Sequence, residues 1–310
     1  MLTPVLEIGG THVTAALVGP DPGTVHEQVR TALPAQGTLD EILGAVAATA
    51  SRVSAPAWAR WGVAVPGPFD YEAGIGLFQG VGKFDALYGV DLRAELLRRL
   101  APSPGTLHFL NDADAFSIGE SIAGAAAGHR RAVCITLGSG VGSAFVDRGK
   151  PVNDGPLVPQ DGSAHLLTYG GRPMEDTVSR RAIRAAYARA ALDDPDVVPE
   201  VRTIAELARG GETHARAVLD HAFRALGETL APWINRFEAT ALVVGGSIAA
   251  SWDLIEAPLR IGLTAGPNTA EEQPLTVCTA ARPDDAPLLG AARWARQAMR
   301  TRPTCDVPPL

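Results

Sequence analysis

The chain has 310 residues, 27 Lys+Arg against 34 Asp+Glu and a formal net charge of −7, with only 5% aromatic residues; it lacks both the basic surplus that neutralises nucleic-acid phosphates and the aromatics of a base-stacking platform. Cys134, Cys278 and Cys305 are widely spaced and form no CxxC pair, too few ligands for a disulfide framework or a thiolate zinc site. No basic-then-apolar leader opens the chain and no apolar run approaches the roughly 18 to 20 residues that span a bilayer, so the expectation is a cytoplasmic protein without membrane or nucleic-acid partners, long enough for two domains.

Val5-Leu6-Glu7-Ile8 and Thr11 to Val18 flank Gly9-Gly10, and two β-rich runs around a Gly-Gly turn predict a hairpin. Ile42, Leu43 and Val46 suit one face of a helix over Leu39 to Val53. Arg60 to Val65 reads as a buried strand closed by Pro66-Gly67-Pro68, Leu92 to Leu100 as a short helix, and Leu107 to Leu110 as a strand. That strand runs through Asn111-Asp112 into a helix over Ala113 to Ala126. The opening pattern then returns: Ala132 to Leu137, a Gly138-Ser139-Gly140 turn, and Val141 to Val146. A strand, a glycine turn and a second strand opening each half suggest two related domains. Helices follow over Glu175 to Leu192, Ile204 to Ala208 and Thr213 to Phe237, then strands at Ala241 to Val244 and Leu275 to Thr279, and a closing helix from Ala286 to Met299. Strands alternating with helices predict an α/β architecture.

Glycine turns let a backbone approach an anion closely, and their free amides bind phosphate oxygens. Gly9-Gly10-Thr11, Gly138 to Gly142 and Gly245-Gly246-Ser247 all stand at strand ends; each taken alone reads more readily as a tight hairpin than as a phosphate site. Neither standard nucleotide fingerprint fits, because Gly138-x-Gly140-x-Gly142 lacks the GxGxxG spacing and no glycine loop ends in Gly-Lys-Ser/Thr. Asp112 sits where a strand meets a helix, a place where α/β folds put ligands. On residue preferences alone, capping of the following helix is the favoured role for Asn111 or Asp112.

Five segments in this order resemble the ROK family of sugar kinases, within the actin-like, ribonuclease-H-like ATPase group. They are Glu7 to Thr11, Val63 to Pro68, Asn111 to Ala115, Thr136 to Gly142 and Val243 to Ile248. The resemblance implies an α/β fold of two related actin-like domains, with mixed sheets and an interdomain cleft. It places a smaller domain at 1–111, a larger one at 112–285, and a last helix within 286–310 returning to the first. It implies ATP-dependent phosphorylation of a hexose or hexose derivative, with Asp112 as general base on the sugar hydroxyl. Gly67, Asn111, Asp112, His165 and Glu175 would meet the sugar. Gly9, Gly10, Thr11, Thr136, Gly138, Ser139, Gly140, Gly142, Gly245 and Gly246 would bind ATP. Glu7, where most relatives carry Asp, would act on Mg²⁺ through water, and family members are often homodimers.

Two departures stand out. Many relatives bind zinc through one His and three Cys; the corresponding stretch, Asp161 to Glu175, keeps His165 and has no thiol, so no zinc is expected. The family's Glu-x-Gly-His becomes Gly162-Ser163-Ala164-His165, which removes a carboxylate that grips sugar hydroxyls, while Glu175 and Ser179 match the second sugar-binding Glu and its downstream Ser. A catalytically weakened sugar sensor of the same fold is therefore the alternative to a kinase. A repressor is disfavoured because the first phosphate loop begins at Glu7, with no room before it for a helix-turn-helix.

Overall fold

A computed structural model describes residues 1–191, 197–264 and 274–298; the expected helix ends at Leu192 and Met299, and Cys305, lie outside the described residues. Packing divides them into two units, Met1–Ile122 with the described residues from Asp284 onward, and Ala123–Pro283. The first unit thus runs on through the helix that follows Asp112.

The Gly-Gly turn joins β1 (Thr3–Ile8) and β2 (His12–Val18) as an antiparallel hairpin. A strand not expected from the sequence, β3 (Val25–Ala32), pairs antiparallel with β2. Its residues alternate between half-buried and exposed, so one polar face and an edge position hide the hydrophobic alternation that marks a strand. The helix α1 (Leu39–Ala50) starts at a capping box, in which Thr38 Oγ1 accepts from the Glu41 amide and Glu41 accepts from the Thr38 amide. It stops short of Val53, where the Ser51 hydroxyl donates to the Ala48 carbonyl (2.9 Å).

The strand β4 (Arg60–Val65) adds parallel to β1; the short hairpin β5 (Phe69–Asp70) and β6 (Ile75–Gly76), the helix α2 (Leu92–Arg99) and β7 (Thr106–Asn111) follow, with β7 parallel to β4. The sheet order is β3-β2-β1-β4-β7. The helix α3 (Asp112–Ala123) leaves β7 directly and ends before Gly124 rather than reaching Ala126. Trp61, Phe78, Phe84, Leu96 and Phe109 fill the core of this unit.

The second unit repeats the plan. β8 (Arg131–Leu137) and β9 (Val141–Asp147) form a hairpin around Gly138 to Gly140, and β10 (Lys150–Pro151) pairs antiparallel with β9. After a small hairpin of β11 (Thr168–Tyr169) and β12 (Arg172–Pro173) come α4 (Glu175–Val178) and α5 (Arg180–Ala191). The single helix expected from Glu175 is broken at Ser179, whose backbone is extended and whose Oγ accepts from the Ala182 amide (3.3 Å). Next are α6 (Val201–Arg209), α7 (Thr213–Phe237), β13 (Ala241–Gly245), α8 (Trp252–Thr264) and β14 (Thr276–Thr279). The α8 helix was not expected, because Pro258 inside it removes a donor and reads as a breaker. The sheet order is β10-β9-β8-β13-β14, with β13 parallel to both β8 and β14. Order and strand directions match those of the first sheet, as two domains of common plan require.

The last helix, α9 (Ala286–Gln297), packs against β1, β4 and β7 of the first unit. Trp294 Nε1 donates to the Phe109 carbonyl (2.9 Å), and the Arg296 guanidinium reaches Thr3 Oγ1 (2.8 Å) and the Val18 and Gly19 carbonyls. Glycines permit the contact. A Cβ on Gly290 would overlap the Ala115 carbonyl of α3, and one on Gly119 of α3 would overlap the Ala286 carbonyl.

Candidate active site

In the first unit β1, β4 and β7 lie side by side and parallel, in the register Glu7, Ala64, Leu110. Their carboxyl ends therefore deliver three segments to one edge of the sheet: Glu7 with Gly9 to Thr11, Gly67, and Asn111-Asp112. Parallel α/β sheets place ligands at such an edge. The first turn is tight, with the Gly9 amide donating to the His12 carbonyl (2.8 Å), and Thr11 is exposed at its tip.

Glu7 lies in one row across three strands, opposite Thr14 of β2, which is opposite Arg30 of β3. Burial pushes its carboxyl up to about 7; the Arg30 charge opposes this, the Asp112 charge adds to it, the Thr14 hydroxyl opposes it, and Asp284 adds a little more. Asp112, half-buried at the start of α3, is also held above the usual carboxylate range by burial, against the pull of Lys83 and of the backbone amides of Ala113 and Asp112 itself. One of its oxygens accepts from the Ala113 amide (2.9 Å). A carboxylate with raised proton affinity is a better proton acceptor at neutral pH.

Asn111 has the capping role that residue preference favours: its Oδ1 accepts from the amides of Ala113 (2.8 Å) and Asp114 (3.3 Å). Its Nδ2 donates to the Tyr71 hydroxyl (2.9 Å), which in turn donates to the Val65 carbonyl (3.3 Å). Gly67 lies beside the same pair, since a Cβ there would stand 3.6 Å from Tyr71 Oη and 3.9 Å from Asn111 Nδ2. Gly67, Tyr71 and Asn111 form one small polar cluster, and Tyr71 carries no sequence signal that would have marked it.

In the second unit the two expected glycine turns meet. Thr136 of β8 is the register partner of Gly245 of β13, so the turns that follow them emerge together. The Gly138 amide donates to the Gly140 carbonyl (3.0 Å), Ser139 is exposed at the tip, and Gly142 pairs back to Thr136. Gly246 has φ +85, and a Cβ on it would overlap the Leu137 backbone; only glycine suits both the left-handed conformation and the approach. Arg180, which sequence reasoning missed, ties the turns together. Its amide donates to the Gly138 carbonyl (2.9 Å) and its guanidinium to Ser247 Oγ (3.2 Å).

Glu175 opens α4 and faces the glycine turn: its Oε2 accepts from the Val141 amide (3.2 Å) and would stand 3.2 Å from a Cβ on Gly140. His165 sits half-buried on a short 3₁₀ turn, Ala164–Leu166. Ser143 of β9 fixes that segment, donating to the Gly162 carbonyl (2.6 Å) and accepting from the Ala164 amide (2.7 Å). Gly162 has φ +64, and a Cβ there would stand 3.0 Å from Asn153 Oδ1. A Glu at that position would be strained on this backbone. Among the described residues no group of three or more His, Cys, Asp or Glu side chains is placed to hold a metal ion, and no helix is long and apolar enough to cross a membrane.

The chain is similar to known proteins over nearly its whole length. A glucokinase from Thermotoga maritima is 27% identical over 93% of this chain and 95% of its own. A ROK family glucokinase from Streptomyces griseus, solved with glucose and AMPPNP, superposes with a TM-score of 0.74 at 26% identity, covering 96% of this chain and all (100%) of that one. A ROK hexokinase from Thermus thermophilus superposes with a TM-score of 0.75 at 23% identity over 97% of this chain and 100% of its own. The model of the ROK family matches residues 4–159 and 168–298. With the two-sheet α/β plan and near-complete coverage in agreement, the chain belongs to the ROK family.

Proposed function

We propose that the protein transfers the terminal phosphoryl group of ATP to a hydroxyl of a hexose or hexose derivative, with Asp112 as the general base. The observation that carries this reading is the pair of perturbed carboxyls, Glu7 and Asp112, at the edge where β1, β4 and β7 end. The glucokinase relatives and the neighbour solved with glucose and AMPPNP support the sugar and the nucleotide.

Phosphoryl transfer asks a protein mainly for positioning and charge stabilisation. In this reading Asp112 accepts the proton of the attacking hydroxyl, for which its raised proton affinity suits it. The amides around Gly9-Gly10 and Gly138 to Gly140 receive phosphate oxygens, and Gly245-Gly246 lies against the adenosine. Gly67, Asn111, His165 and Glu175 hold the sugar. Asn111 is pre-set by its bonds to Tyr71 and to the first turn of α3.

Mg²⁺ fits the donor set around Glu7, where a half-buried carboxylate and the Thr14 hydroxyl offer hard oxygens, and such ions are commonly held by one or two carboxylates plus substrate phosphates. Glu7 would hold it through water, and the bound ion would supply charge neutralisation at the phosphates. A homodimer is part of the proposal, on the family likeness alone.

The second reading, a sugar sensor with weakened catalysis, is favoured by Gly162 in place of the family's Glu. Release of ADP measured with a panel of hexoses and N-acetylhexosamines decides between them: turnover with any member supports the kinase, and sugar binding without turnover supports the sensor.

A further inference from the structure

Only two of the 27 basic residues are lysines, Lys83 and Lys150. Arginine supplies all the others. Lys83 is also carefully held. The preceding carbonyl, of Gly82, accepts from Gln36 Nε2 (3.2 Å), and the following amide, of Phe84, donates to the Ala35 carbonyl (2.6 Å). The Phe84 ring is fully buried, 5.3 Å from that of Phe78. The loop is therefore pinned on both sides of a side chain that points back over the first glycine turn: a Cβ on Gly10 would stand 3.4 Å from Lys83 Cδ and 3.5 Å from Nζ.

We propose that Lys83 is a phosphate-contacting residue, its ammonium lying over the Gly9-Gly10 turn and hydrogen-bonding an oxygen of the phosphoryl group in transit. The inference rests on the kinase reading above and names a residue that reading does not need. In the transfer, the sugar oxygen forms its bond to the γ-phosphorus as the bond from that phosphorus to the β,γ-bridging oxygen breaks. The electron pair of the broken bond leaves with ADP, and the hydroxyl proton passes to Asp112. Lys83 neither gives nor takes a proton; it offsets the charge on the non-bridging oxygens. A compact ammonium with three rotatable donors suits a point beside a tight turn better than a planar guanidinium fork. The Lys83 charge also opposes the burial that raises the Asp112 carboxyl, helping to keep the base ionised before the sugar arrives.

The test compares full-length wild type, Lys83→Met and Lys83→Gln in two readouts. Calorimetry with AMPPNP and with ADP, both with Mg²⁺, reads the contact without turnover. Both variants are expected to bind AMPPNP about ten- to hundredfold more weakly, the loss of one hydrogen bond to a charged group, with ADP affinity within about threefold. Steady-state kinetics on the best hexose are expected to show kcat down about a hundredfold or more, with the sugar KM within about threefold. If the wild type phosphorylates a hexose and both variants match it in kcat and in AMPPNP preference, the lysine assignment is overturned and the kinase reading survives. If the wild type turns over no hexose but its preference for AMPPNP vanishes in both variants, the kinase reading fails and the lysine contact stands. Should one variant fold poorly, the other decides alone.

Discussion

Substitution of Glu7 by Gln makes the sharpest test of the site's electrostatics, because its sign reverses the usual expectation for losing an acid. Burial raises the folded-state value of this carboxyl from 4.5 to about 7. The native state therefore binds a proton that the unfolded chain has released across that window, and stability falls as pH rises through it. At about 1.36 kcal/mol per unit, the shift amounts to roughly 3 kcal/mol of destabilisation at pH 8 that is absent below pH 4.5. Gln has the shape of the protonated acid and carries no charge at any pH. Glu7→Gln is thus expected to exceed the wild type by only about 1 kcal/mol at pH 5 and by about 3 kcal/mol at pH 8. Urea unfolding of both proteins at several pH values between 5 and 8, without nucleotide or divalent cation, measures the gap. A gap that stays constant with pH, or one in which the wild type gains as pH rises, refutes the account of Glu7. The same acid is the proposed ligand-side partner of Mg²⁺, so the stabilised variant should be the less active enzyme, a trade-off common where a charge is kept for function.

Asp112→Asn should abolish turnover while sugar binding stays within about tenfold, since shape and most hydrogen bonds persist; retained turnover in an ADP-release assay would remove Asp112 as base. Gly290→Ala should destabilise by about 3 kcal/mol or more despite Ala's better helix propensity, because the new methyl meets the Ala115 carbonyl of α3. Gly44→Ala, inside α1 with nothing within 4 Å of its would-be Cβ, should instead stabilise by about 0.5 to 1 kcal/mol. A thermal melt that ranks these two variants the other way refutes the packing of α9. Elemental analysis of the purified protein should find no stoichiometric zinc, and one equivalent would overturn the reading of residues 161–175.

Much of the plan was legible because it rests on local pattern. The two hairpins announce themselves by β-rich runs around glycines, and α1 by periodicity. What escaped depended on context. The β3 strand has a polar face and an edge position, so its pairing with β2 cannot be seen in its own residues. Its absence from the reading also hid Arg30 from Glu7, since the row through Thr14 exists only once that strand is in register. Pro258 disguised α8, and Ser179 turned one helix into two. At the candidate site, Asp112 and the glycine turns were marked by position at strand ends and given their expected roles by the family resemblance. Lys83 was not, because it comes to Gly10 by way of a loop whose course is set by where Phe84 buries its ring. Glu175 was matched to a family position, but its bond to the Val141 amide joins segments far apart in sequence and could be read only from coordinates.

The close meeting of Gly119 on α3 with Ala286 on α9 has a topological consequence. The backbone departs the first unit at one end of that contact and comes back at the other, so the stretch 123–283 is an insert spliced into a host whose two cut ends are neighbours. Excising the insert and rejoining the stumps with a short glycine tether leaves the host's five-stranded sheet, its helical cover and Asp112 in one uninterrupted piece. The host's carboxyl-terminal helix is then no dispensable tail: its layer over β1 and β4 is completed only after the entire insert has been synthesised.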